Sequence, residues 1–324
     1  MHRIISIKDI EGLRIGQAED EKGGTGCTVV LADDVMRAGV DVRGGGPASR
    51  EIELLKPSAA AEYIHGILLS GGSAFGLNAA GGVMKYLEER GRGIPVGPVR
   101  VPLVCQSDIF DLTFGDANIR PDEEMGYKAC INSERDNYKD GNFGVGCGAT
   151  VGKALGPDRC MKSGIGSYAI WQGTFKIGAI VVVNAFGDIY DERGNKIAGV
   201  LDEDGKSFLD SSEIMEQRSR GVPKIAANTT LAVIMTDVRM DKTALCKVAS
   251  MGHNGFARSI RPVHTSMDGD TVYAVSVGEI EADPNVVGTL GAMVVSRAIE
   301  TAIKSAKGAY GCQAYEDIEL LRKI

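Results

Sequence analysis

A layered α/β sandwich is the fold class that this 324-residue chain predicts, on three observations. Short runs rich in Val, Ile and Thr recur between Gly or Asp. Three longer stretches carry helical caps and spacing. The two kinds of segment do not alternate regularly. Strict strand–helix alternation would mark a doubly wound parallel sheet, so its absence favours mixed strands flanked by helices. Hydrophobic residues make up 44% of the chain, enough for one large core or two smaller ones.

Taken in order, "CTVVLA" (27–32), "IHGILLSGG" (64–72), "KIGAIVVVNAFG" (176–187), "TLAVIMTD" (230–237) and "TVYAVSVG" (271–278) read as strands, several buried on both faces. "SAFGLNAAGGVMKYLEERG" reads as a helix with Ser73 as its N-cap and Gly91 past its end. Gly76, Gly81 and Gly82 inside it each cost about 1 kcal/mol against Ala, which makes sense if another backbone lies close. Residues 241–260 form a second helix. A third begins at Asp283 with Pro284 at its first position, and Val287, Leu290, Val294 and Ile303 lie near one face. The polar stretch 201–224 lacks periodicity and reads as an exposed loop leading into Asn228.

A net charge of −7 argues against a nucleic-acid face, which needs clustered basic residues. The start of the chain shows no leader pattern and no run approaches a membrane span, so neither a leader nor a membrane partner is expected. Seven cysteines without a CxxC pair suggest reduced thiols in a cytoplasm. Four histidines, none at ligand spacing, give no metal site and no cofactor is expected.

The candidate motifs each have a plain alternative. "GVGCGATVGKA" (144–154) fails as a phosphate loop because Ala154 follows Gly152-Lys153, leaving Lys153 either a surface lysine or a group presented by a Gly-rich turn. "LSGGSAFG" joins a strand to a helix start around Gly72 and Ser73, where free backbone N–H groups suit an anion; a tight strand-to-helix connection is the plainer and favoured reading. Ser73 is outside a G-x-S-x-G elbow. His264 is either a base or a packed residue, and no His/Asp pattern supplies a hydroxyl triad. Asp268 and Asp270 in "DGDTVYAVSVG" share a face if that entry is extended, or form a plain turn.

"NTTLAVIMTD" offers a different chemistry. An N-terminal Thr is nucleophile and base at once, since its own α-amine, with a pKa of about 7.7–8.0, accepts the hydroxyl proton. Cutting the backbone between Asn228 and Thr229 would create that amine without any histidine.

"LLSGGSAFGLNAAGGVMKYLEERGRG", "VPLVCQSDIFDL", "GCGATVGK", "VVVNAFGDIYD", "NTTLAVIMTD" and "HTSMDGDTVYAVS" together resemble the S58 (DmpA-type) peptidase family over about residues 10 to 310. That family holds L-aminopeptidase/D-esterases, β-peptidyl aminopeptidases and 6-aminohexanoate-oligomer (nylon oligomer) endohydrolases. The resemblance implies one four-layer αββα domain over residues 1–324, of the ornithine-acetyltransferase and N-terminal-nucleophile type. It implies self-cleavage into segments 1–228 and 229–324. Carried over, Thr229 is the nucleophile, Asp268 and Asp270 hold its amine and hydroxyl, Lys153 lines the site, and Asn184 donates to the oxyanion. Two aspartates with an Asn-Thr bond look most like the nylon-oligomer branch. Gly72, Ser73, Phe75 and Phe110 are expected to line the substrate pocket, with Phe110 in "DIFD" standing where that branch carries Tyr. The implied substrate is a small peptide or oligoamide, and the implied assembly is a homotetramer of cleaved protomers. Acyl transfer of the ornithine-acetyltransferase kind and a non-catalytic ligand-binding protein are the rival readings.

Overall fold

The computed structural model describes residues 2–217 and 228–321. Among them, ten strands form one continuous hydrogen-bonded array: β1 (Arg3–Ile5), β2 (Leu13–Asp20), β3 (Thr25–Val42), β4 (Ala48–Arg50), β5 (Ile64–Ser70), β6 (Val104–Asp108), β7 (Ile165–Trp171), β8 (Lys176–Asn184), β9 (Thr229–Val238) and β10 (Thr271–Ile280). Their order is β1-β7-β8-β9-β10-β3-β5-β6-β4, with β2 also on β3.

The array is two sheets joined by one strand. The first half of β3 pairs with β2 and β5, the second half with β10, and its register shifts between Leu31 and Met36. A break of register lets a strand bend, so β3 leaves one sheet and enters the other. Alternation then sorts the side chains. In β9, Leu231, Val233 and Met235 join Ile180, Tyr273, Val30, Ile67 and Leu69 in a core between the sheets. The helices α1 (Ala79–Glu89), α2 (Glu123–Ser133), α3 (Ser211–Gln217), α4 (Lys242–Ser259) and α5 (Pro284–Ser305) follow in chain order, and Ala232 and Ile234 face the other way, against α4 and α5. Val29, Leu31, Leu68 and Val104 face α1 and α2. The layers are thus helices, sheet, sheet, helices, the αββα arrangement. Each fully buried Leu, Val or Ile contributes about 1.5–3 kcal/mol by leaving water.

The helices expected at 241–260 and from Asp283 are present, with Asp241 and Asp283 side chains accepting from Ala244 N and Asn285 N. By length and composition α5 is apolar enough to cross a membrane, which the sequence reading did not anticipate; here Val287, Val294, Val295, Ile299 and Ile303 are buried against the sheet.

Two expectations need correction. Ser73 is not a cap: a 3-10 turn runs Ser73–Asn78 before α1, and Ser73 sits at φ +53°. The backbone N–H groups there are met from the neighbouring strand end, Gly72 N by Asp111 Oδ1 at 2.7 Å and Ser73 N by Ile109 O at 2.9 Å. The stretch 201–224 is not loop throughout. Residues Ser211–Gln217 are helical, because buried Asp188 accepts from both the N–H and hydroxyl of Ser211 and anchors that helix start. Its remaining residues 218–224 lie outside the described residues.

Of the two glycines in α1, Gly82 faces another backbone and Gly81 faces the Glu123 side chain. A Cβ at Gly82 would stand 1.8 Å from Glu123 O and 2.7 Å from Tyr127 N, both in or beside α2. Gly82→Ala is therefore expected to destabilise the chain by about 2–3 kcal/mol through overpacking, read as a lower urea midpoint at unchanged slope.

Candidate active site

Pairing direction brings three strand ends to one point. β8 runs antiparallel to β9, so its last residue Asn184 lies opposite the first, Thr229. β10 runs parallel to β9, with Leu231 level with Thr271, so Asp270 lies beside the same end. Thr229, Asn228, Asn184, Asp268 and Asp270 are all buried, at 4% exposure or less.

Around the Asn228–Thr229 bond the contacts are close. Thr229 Oγ1 donates to Asn228 O at 2.5 Å, and Gly269 N donates to that same oxygen at 2.9 Å. A Cβ at Gly269 would stand 2.6 Å from Thr229 Oγ1, so only glycine lets this backbone approach the hydroxyl. Asn228 Oδ1 is buried and has no partner among the described residues.

The two aspartates do different things. Asp270 Oδ1 accepts from Thr230 N at 2.8 Å, and its Oδ2 accepts from His264 Nδ1 at 2.8 Å and His264 N at 3.2 Å. Asp268 Oδ2 accepts from Thr265 N at 2.8 Å and Thr265 Oγ1 at 2.6 Å. Burial, then the Asp270 charge, raise the Asp268 carboxyl to about 6, against the pull of Thr265 and Lys153. The pair is not on a regular strand entry; β10 begins only at Thr271, and Asp268 forms an isolated bridge with Asn228.

Asn184 is a junction between elements. Its Oδ1 accepts from Lys153 Nζ at 2.6 Å and Thr150 N at 3.1 Å, and its Nδ2 donates to Phe110 O at 2.9 Å. One amide hydrogen thus goes to Phe110, leaving the second for any oxyanion role. Lys153 is half-buried on the Gly-rich turn rather than a solvated surface lysine. Desolvation lowers its ammonium to about 8, and the charges of Asp268 and Asp111 oppose that shift.

Phe110 touches this junction through its carbonyl, while Gly72 and Ser73 reach it only through Asp111 and Ile109. Burial raises the Asp111 carboxyl to about 6. Phe75 is 58% exposed, with Arg120 stacked 3.7 Å from its ring. Sequence reasoning did not single out Gly269 N–H, Thr265 or Thr150. All three donate backbone N–H groups, which any residue but proline carries.

The model of peptidase family S58 matches residues 6–314. An uncharacterized aminopeptidase of Mycobacterium leprae is 34% identical over 96% of this chain and 93% of its own. A 6-aminohexanoate-oligomer endohydrolase of Paenarthrobacter ureafaciens is 33% identical over 84% of this chain and 75% of its own. Among solved structures, the L-aminopeptidase D-Ala-esterase/amidase of Ochrobactrum anthropi, a variant of the Ntn-hydrolase fold, superposes with a TM-score of 0.73. It covers 98% of this chain and 93% of its own at 18% identity, a likeness of fold.

Proposed function

The chain belongs to peptidase family S58 and is a hydrolase of amide bonds, and we propose that it acts through Thr229 after opening its own backbone before that residue. The observation that carries this reading is the Thr229 hydroxyl lying 2.5 Å from the Asn228 carbonyl oxygen while Gly269 N–H donates to that oxygen.

In the first stage Thr229 Oγ1 attacks the Asn228 carbonyl carbon. The C–O bond forms, the C–N bond breaks, and the hydroxyl proton passes to the departing nitrogen. Gly269 N–H stabilises the charge that builds on the carbonyl oxygen. Water then hydrolyses the ester, leaving an Asn228 carboxylate and a free Thr229 amine. In the second stage that amine takes the hydroxyl proton as Oγ1 attacks a substrate amide. The leaving amine departs, and water releases the acyl group. Asn184 ends the strand beside Thr229 and Lys153 reaches it from the Gly-rich turn, so both lie where donors suit a tetrahedral oxyanion.

Small peptides or oligoamides are the proposed substrates, since named relatives include aminopeptidases and 6-aminohexanoate-oligomer endohydrolases. On the same reading the cleaved protomers assemble as homotetramers in the cytoplasm. Denaturing mass spectrometry with N-terminal sequencing tests the core of it. Two fragments are expected, the smaller beginning at Thr229; any other first residue, or an active preparation of unbroken chains, removes the proposal.

A further inference from the structure

His264 belongs to none of the roles above, yet its placement is specific. It sits at φ +58°, a left-handed conformation that strains a non-glycine residue. That conformation aims two donors of one residue at a single oxygen: Nδ1 at 2.8 Å and the backbone N at 3.2 Å from Asp270 Oδ2. The opposite oxygen of Asp270 holds Thr230 N, the residue after the proposed nucleophile. A carboxylate only accepts, so Nδ1 carries the shared proton, and Nε2 is buried with no partner among the described residues. The ring is wedged edge-on against His253, 4.7 Å between centroids, with Phe256 at 6.0 Å.

We propose that His264 is a positioning residue, holding Asp270 from behind so that its other oxygen fixes the start of the nucleophile's strand. The inference rests on the Thr229 reading and adds to it a residue that never touches substrate. A packed histidine would satisfy the volume, but volume alone does not call for a left-handed backbone and two donors on one oxygen. The titratable groups around the ring are Asp268 and Asp270 on its own loop, and His253 with Asp41 behind it, with Arg43 as the neighbouring cation.

The backbone conformation supplies a clean test. Glycine and asparagine both tolerate a positive φ, but only asparagine can place an N–H near the Nδ1 position. In His264→Gly, self-cleavage is expected to slow and kcat of the cleaved fraction to fall about 10- to 100-fold, with KM unchanged. His264→Asn should restore both rates. His264→Gln, whose amide lies one bond further out, should resemble the glycine variant and carries the comparison should that variant fail to fold. Wild-type behaviour in His264→Gly, or equal loss in the Asn and Gln variants, overturns the proposal while leaving Thr229 in place. A wild-type small fragment that does not begin at Thr229 removes both.

Discussion

Thr229→Ala is expected to yield a folded, unbroken chain of 34.3 kDa whose amidase activity is reduced roughly 10⁴-fold or more. The expectation is large because one hydroxyl serves both stages: without Oγ1 the Asn228–Thr229 bond stays closed, and the amine that would act as base never forms. The fold should survive. Thr229 is the first residue of β9, its hydroxyl bonds only the preceding carbonyl among the described residues, and losing one such bond costs about 1 kcal/mol. Thr229→Ser keeps the nucleophile and should still be cut, which separates loss of chemistry from loss of shape. Gel electrophoresis and an amide-release assay on both variants read the outcome. Thr229→Ala processed to the same fragments as wild type would place the nucleophile elsewhere.

Sequence and structure part company where backbone groups do the work. The buried strands were legible because β-branched runs such as "KIGAIVVVN" leave few alternatives, and α5 because Asp283 and Pro284 mark its start. The joining of two sheets by β3 was not, since its bend lies in a register shift near Leu31 and Met36 that no residue type announces. α2 was missed because its buried face is Gly126, Ala129, Cys130 and Ser133, small residues that give weak periodicity. At the site, Thr229, Asn184 and Asp270 meet at neighbouring strand ends, with Asp268 bridged to Asn228 and Lys153 bonded to Asn184. Their mutual wiring, Asp270 to Thr230 N–H and Gly269 N–H to Asn228 O, appears only when strand directions are known. The role of His264 escaped for a related reason: it depends on a left-handed φ, which histidine adopts more readily than most residues but which its presence in a sequence does not announce.

Replacing Asp268 by Asn should move activity and stability in opposite directions. An Asn oxygen can still accept from Thr265 N and Oγ1, so the turn keeps its two bonds. What disappears is a buried negative charge beside Asp270 and Lys153. That charge is one of those holding the Lys153 ammonium up against desolvation, so its removal pushes Lys153 further below about 8 and weakens the grip of Nζ on Asn184. Self-cleavage or turnover is therefore expected to fall roughly 10²-fold, the scale of losing one oxyanion-side donor. Stability follows the opposite sign. With the native carboxyl raised to about 6 and the unfolded one near 3.9, the native state binds the extra proton between those values. The contribution of Asp268 is thus fully present below about pH 4 and is lost as pH rises through about 6, a penalty on the order of 3 kcal/mol at neutral pH. Asp268→Asn carries no such penalty, so its melting temperature should exceed that of wild type at pH 7 and the difference should vanish by about pH 4. Paired thermal melts across that range, with turnover measured on the same samples, decide it. A fully active variant removes Asp268 from the site, and a variant less stable at pH 7 than at pH 4 relative to wild type contradicts the burial of its charge as the cause.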